Sequence, residues 1–193
     1  MATQEERRAA TQAKVIDAAL RLFGETGFDA VTVDDIAAAA GVAKGAVYHH
    51  FKGKEALFEA VFERASADLA GQIRRSRRPA DPLAALIEGA RLYFEACAAP
   101  PFRAILLRDG PAVLGWERWR EIDTRHFLSM LPATLDRAMA EGLVPRQSTE
   151  PLARLLAGAV TEAAVACAAA EDPAETGRAY VHALERLVDG LRG

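Results

Sequence analysis

The stretch from Thr32 to Lys54, TVDDIAAAAGVAKGAVYHHFKGK, most narrows what this chain can fold into. It reads as helix, glycine turn, helix. Thr32 is a good N-cap, and Asp35 three residues on resembles a capping box. The first helix stops at Gly41, which suits a tight turn, and a second follows from about 43 to 50. Ile36, Ala37, Ala40, Val42, Val47 and Phe51 supply a small shared core, and the alanines at 37 and 40 let the two helices approach closely. Left outward are Lys44, Gly45, Ala46, Tyr48 and His49, small, aromatic and hydrogen-bonding groups of the kind that enter a major groove. Lys52 and Lys54 flank the second helix, where they can neutralise phosphates. Residues 36–54 contain Lys44, Lys52 and Lys54 and no acid, making this the locally basic patch of a chain whose net charge is −3.

The remaining sequence is helical in pattern from end to end. Ile16, Ala19, Leu20 and Phe23 fall at i, i+3, i+4, i+7, which predicts a helix over about 7–26. A long helix starts at Lys54, with Leu57, Val61, Ala65, Leu69 and Ile73 on one stripe, and runs to about 77. Arg77-Arg78-Pro79-Ala80-Asp81-Pro82 breaks it. Further helices are expected near 82–98, 101–108, 114–141, 149–171 and 174–191, with a break at Asp109-Gly110-Pro111. Val, Ile and Thr are too scattered for a sheet. The expected fold is therefore all-α with about nine helices: a three-helix helix-turn-helix domain over 1–53 and a helical bundle over 54–193.

The segment resembles the DNA-binding domain of the TetR family of bacterial transcription regulators. The resemblance rests on Thr32 opening helix two, Ala37 to Gly41-Val42, Tyr48 to Phe51, and Lys52-Gly-Lys-Glu-Ala-Leu57, within about residues 10–60. The rest of the chain matches in architecture. The resemblance implies a homodimer whose two recognition helices read a palindromic operator in double-stranded DNA. It also implies a C-terminal pocket where a small-molecule effector controls DNA affinity. Carried over by position, Thr32 and Lys54 would hold phosphates, and Lys44, Ala46, Tyr48 and His49 would face bases or backbone. Position 46 is often a hydroxyl residue in relatives. Ala46 can touch a thymine methyl but cannot hydrogen-bond.

Several residues admit two readings. Tyr48 either reaches DNA or packs between helices. His50 reads as packing, and neighbouring His49 and His50 point about 100° apart on a helix, which disfavours a shared metal. Arg74-Arg75-Ser76-Arg77-Arg78 lies about 35 Å along one helix from Lys54 and reads as cations offsetting a helix dipole. Arg7 and Arg8 precede the first predicted helix and either reach the duplex or fray in solvent.

The last two helices carry long apolar stripes, and the first of them is rich in alanine on other faces too. A twofold four-helix interface would bury both. The expected dimer contacts are Leu152, Leu156, Ala159, Val160, Ala163, Val181, Leu184 and Val188. The middle helices concentrate the residues expected to bind the effector: Tyr93, Phe94, Cys97, Phe102, Leu106, Trp116, Trp119, Arg120, Asp123, His126, Phe127 and Met130. Core and pocket draw on the same residue types, so periodicity does not separate them. Cys97 and Cys167 read as small buried hydrophobes in a reducing compartment.

The expected function is a ligand-responsive regulator, with the family leaning toward repression. It is expected to be cytoplasmic, without a signal peptide, membrane span, metal or cofactor. Two alternatives remain: an all-helical enzyme, for which Asp109, Asp123 and His126 are the available acid–base groups, and a non-enzymatic helical small-molecule-binding protein. No nucleophile elbow, phosphate loop or cofactor fingerprint supports the former.

Overall fold

A computed structural model describes residues 3–76 and 79–192. Among these residues the regular structure is helical, in nine runs. They are α1 (Gln4–Thr26), α2 (Val33–Ala40), α3 (Lys44–His50), α4 (Lys54–Arg75), α5 (Pro82–Ala98), α6 (100–114), α7 (116–140), α8 (Thr149–Ala169) and α9 (Pro173–Asp189). Arg77 and Arg78 lie outside the described residues.

Helix starts follow the caps. Thr3 caps α1: its hydroxyl accepts the Glu6 N–H at 3.2 Å, and the Glu6 carboxylate accepts the Thr3 N–H at 2.6 Å. The helix therefore begins earlier than its apolar stripe suggests, and Arg7 and Arg8 lie inside it rather than before it. Its buried face is Val15, Ala18, Ala19, Phe23 and Gly24, with Ile16 and Leu20 only half-buried at the margin. Asp81 caps α5, accepting the Leu83 and Ala84 N–H groups at 2.7 and 3.3 Å, with Pro82 in the first turn.

Two helices depart from the expected pattern. The break expected at Asp109-Gly110-Pro111 is absent: α6 runs through it, widening to π-helical geometry over Arg103–Asp109 before continuing as Gly110–Leu114. The single helix expected over 114–141 is interrupted. Trp116–Asp123 widens into a π-helical stretch, Thr124–Leu128, turns at Ser129 and Met130, and resumes as Leu131–Ala140. Each wide stretch precedes a proline, Pro111 or Pro132. Proline brings no N–H and its ring crowds the carbonyl four residues earlier, and a wider turn relieves that contact.

The chain divides into two compact units: Met1–Ala67 with Pro100–Trp119, and Asp68–Ala99 with Arg120–Gly193. The division by packing thus falls inside α4 and α7. In the first unit, Phe23, Phe28 and Phe58 form a ring cluster with centroids 5.2–5.6 Å apart. α6 joins this unit through Asp109, which accepts the Phe28 N–H at 2.8 Å, and the start of α7 through Arg118, which binds Glu59 at 2.6 Å. In the second unit, α5 packs against α8, α9 and the end of α7.

Gly110 marks a tight approach in the first unit. A methyl group there would stand 2.7 Å from Phe62 Cε2, 2.9 Å from Trp119 Cδ1 and 3.0 Å from the Ile105 carbonyl oxygen. Helix propensity favours alanine, but backbone cannot yield as a side-chain tip can. Gly110→Ala is expected to lower stability by about 1–3 kcal/mol in urea denaturation; unchanged or raised stability would contradict this packing.

Candidate nucleic-acid interface and effector cavity

In the first unit, Thr32 and Asp35 lock the start of α2. The Thr32 hydroxyl accepts the Asp35 N–H at 3.2 Å and donates to the Asp35 carboxylate at 2.6 Å, while the Thr32 N–H reaches the same carboxylate at 2.9 Å. These bonds, led by the hydroxyl, hold the Asp35 carboxyl below the usual carboxylate range. Gly41 ends α2 in the left-handed region at φ 66°. Its N–H reaches the Ala38 carbonyl at 3.1 Å and the Val42 N–H reaches that of Ala37 at 3.0 Å, the two bonds of a Schellman turn. The turn is what re-aims the chain into α3.

α3 is pinned by Val47 and Phe51, which with Ile36 and Ala37 are buried. Ala40 and Val42 are only half-buried. Lys44, Gly45, Tyr48 and His49 are exposed on one face at i, i+1, i+4, i+5, and Ala46 sits half-buried at its edge. Tyr48 is 51% exposed, so it does not serve as interhelix packing within the subunit. Lys44 pairs with Asp34 at 2.8 Å, a surface contact that raises the lysine's affinity for its proton. Lys52 is exposed. Lys54 is turned inward: its ammonium donates to the Phe28 and Val31 carbonyls at 2.9 and 3.0 Å and lies 4.1 Å from the Phe28 ring centroid. Two of its three N–H bonds thus tie down the loop before α2. His50 is half-buried, and burial, then His49 and Arg8, lowers its pKa.

In the second unit, a cavity of about 100 Å³ opens among α4, α5, α7 and α8. Of the residues expected to bind an effector, Tyr93, His126, Phe127 and Met130 line it. His126 and Phe127 belong to the π-helical stretch. The Tyr93 and Phe127 rings lie 4.7 Å apart. Lining residues outside the expected set include Ile73, Arg74, Leu86, Thr134 and Val160. Their spacing was legible: Ala70, Ile73 and Arg74, or Leu86, Gly89, Ala90 and Tyr93, keep helical register. Nothing in the spacing separates a cavity wall from a core.

Behind Tyr93 lies a buried polar cluster. Tyr93 donates to Asp123 at 2.8 Å, and Thr161 also hydrogen-bonds this carboxylate. Burial pushes the Asp123 pKa up to about 6, opposed by Tyr93, Arg120, His126 and Thr161. Burial likewise raises Tyr93, Cys97 and Cys167. Phe94 is buried and faces a second groove, of about 450 Å³, beside Gly177 and Val181 on α9. The remaining expected effector residues lie elsewhere. Phe102, Leu106, Trp116 and Trp119 belong to the first unit; Leu106 and Trp119 are core, with the indole N–H donating to the Leu106 carbonyl at 2.6 Å, while Trp116 is 50% exposed. Arg120 is exposed.

Most of the residues expected at the dimer face pack within their own subunit. Leu152, Leu156, Val160, Ala163, Leu184 and Val188 are buried inside their own subunit, Val181 is half-buried and Ala159 exposed. The large apolar side chains that α8 and α9 leave exposed are Leu155, at 73%, and Leu187, at 59%, with exposed Ala159 and Ala183 each four residues away.

Two family models match the chain. That of bacterial regulatory proteins of the tetR family covers residues 15–61, and the tetracyclin repressor-like C-terminal domain covers 83–191. The chain belongs to the TetR family. A crystal structure of a TetR-family transcriptional regulator from Pectobacterium atrosepticum superimposes with a TM-score of 0.86 at 30% identity, covering 99% of this chain and 98% of that one. The HTH-type transcriptional regulator AcrR of Shigella flexneri is 38% identical over 81 residues, 40% of this chain and 37% of that protein. The negative regulator of the icaADBC biofilm operon, IcaR of Staphylococcus aureus, is 44% identical over 46 residues, 24% of this chain and 25% of its own length. These two matches thus span well under half of the relatives' lengths, and the 30%-identical structure carries the resemblance across the whole chain.

The sign of the Asp123 shift makes a stability prediction. Above pH 6 the carboxylate is ionised folded and unfolded, and its burial penalty is fully present; below the ordinary value of 3.8 both states are protonated and the penalty is gone. Relative to Asp123→Asn, the natural chain is therefore expected to lose about 3 kcal/mol between pH 3.5 and pH 7 in urea titrations. A pH-independent difference would contradict the assignment.

Proposed function

We propose that this protein is a transcriptional repressor that grips a palindromic operator as a homodimer and lets go when a small molecule fills the cavity of the second unit. The face Lys44, Gly45, Tyr48 and His49 carries the reading, and Gly45 is its sharpest element. Glycine within a helix costs stability, and a methyl group at Gly45 would meet nothing within 4 Å. No contact inside the subunit asks for glycine there. Close approach of a duplex does. Lys44 would exchange Asp34 for a phosphate or base edge, and the remaining N–H of Lys54 and exposed Lys52 would meet backbone. Thr32 would have to share hydroxyl and N–H groups already bonded to Asp35.

The paired apolar ridges of Leu155, Ala159, Ala183 and Leu187 are the proposed dimer contacts. Two recognition helices would then stand about one duplex turn apart, roughly 34–36 Å. α4 continues from one unit into the other and so offers a path for effector occupancy to alter that spacing. The effector acts only through its different affinity for the two spacings. Cytoplasmic location follows from this role. An enzyme reading gains little: Asp109 is spent on Phe28 and Arg108, and Asp123 on Tyr93.

Selection from a random duplex pool is expected to return two inverted half-sites. Tyr48→Ala should weaken binding to the selected site by about 1–3 kcal/mol. Gly45→Ala should raise thermal stability by about 0.5–1 kcal/mol while weakening binding. No enriched duplex, or tighter binding by Gly45→Ala, would overturn the reading. Leu155→Glu with Leu187→Glu should sediment as a folded monomer at micromolar concentration; a persistent dimer would move the interface elsewhere.

A further inference from the structure

Among the described residues of its lining, the cavity has one Lys, Arg, Asp or Glu side chain, and it is a cation, Arg74. Arg74 sits in the last turn of α4, exposed at the rim, with no ion-pair partner among the described residues. The other polar groups do not offset it. Thr134 gives its hydroxyl proton to the Met130 carbonyl at 2.9 Å, and Tyr93 gives its own to Asp123 at 2.8 Å. Neither has a proton to donate to an occupant. The guanidinium of Arg74 is the charged donor at the rim. The inner wall is apolar and partly aromatic, with Tyr93 and Phe127 side by side.

We propose that the effector is a small organic acid, bound as an anion with its carboxylate on Arg74 and a compact apolar body against Tyr93 and Phe127. The inference rests on the reading of this cavity as the effector site and adds the chemical class of its occupant. A cationic occupant is disfavoured by the same geometry. Asp123 is the acid nearest in role, but it is 3% exposed, already accepts from Tyr93 and Thr161, and does not line the cavity. A cation would meet the like charge of Arg74 with no lining carboxylate to offset it. The volume of about 100 Å³ suits a body no larger than one ring, leaving the charged head at the rim.

Three molecules of nearly one shape separate the possibilities: benzoate, benzamide and benzamidine, carrying negative, zero and positive charge at pH 7.5. Each is titrated into the full isotope-labelled chain and followed by NMR shifts. Benzoate is expected to bind at least roughly tenfold tighter than benzamide, the scale of a charge-assisted bidentate contact, and benzamidine weakest. Shifts should centre on Tyr93, Phe127 and Met130. Arg74→Gln should bring benzoate down to the affinity of benzamide and leave benzamide unchanged. Arg75→Gln, next to it but outside the cavity lining, should behave as the natural chain. Benzoate no tighter than benzamide, whether both bind or neither does, overturns the proposal, as does a benzoate preference that survives Arg74→Gln. The same molecules are added to the chain on its selected duplex. Release by neutral or cationic molecules with no benzoate preference keeps the regulator and removes the anion. An Arg74-dependent benzoate preference in a chain that binds no duplex keeps the anion and removes the regulator.

Discussion

A helix of seven residues does not persist alone in water, because nucleation costs more than so few hydrogen bonds return. α3 exists only because the rest of its unit holds it. Val47 and Phe51 give it a buried edge, the left-handed turn at Gly41 sets its direction, and the capped start of α2 fixes the other arm of the turn. Lys54 adds a further restraint by pulling the Phe28 and Val31 carbonyls together ahead of α2. With its inner edge committed to packing, the outer edge is free of structural duty. That is why Tyr48 is half in water and why glycine is tolerated at 45.

The second unit shows the opposite economy. Its helices bury most of their large apolar side chains, Leu155 and Leu187 apart, and the cavity survives where α7 fails to remain a regular helix. The wide turn over Thr124–Leu128 brings His126 and Phe127 to the wall. It also follows directly on Asp123, a carboxylate held by two hydroxyls in a place where water would have been cheaper. A buried, raised-pKa acid beside a cavity is a cost that packing alone does not explain, and Tyr93 connects the two. α8 is long and apolar enough by composition to cross a membrane, but its buried stripe packs within this bundle, inside the region matched by the C-terminal family model.

The all-helical class, the Thr32 cap, the Gly41 turn and the outward set on α3 were legible because each depends on neighbours in sequence. The start of α1 was missed because its signal is the Thr3 and Glu6 pair rather than the apolar stripe. The interruption of α7 was hidden because Trp116, Trp119, Asp123, Phe127 and Met130 keep helical spacing across it, and Pro132 was the overlooked signal. The stripe expected at the dimer face packs inside the subunit for a physical reason. The strongest apolar stripe of a helix is the one its own subunit claims first, so Leu152, Leu156 and Val160 were bound to be used internally. The cavity was half legible: Tyr93, His126, Phe127 and Met130 stood in the expected set, while Arg74 was read only as a charge offsetting a helix end.

The central claim is that α3 lies in the major groove. Dimethyl sulfate footprinting of the full chain on its selected duplex tests it directly, since the reagent marks guanine N7 in the major groove and adenine N3 in the minor groove. The account predicts protected guanine N7 positions in two patches about 10 base pairs apart, with adenine N3 between them still reactive. Protection confined to adenine N3, or one unrepeated patch, would contradict it.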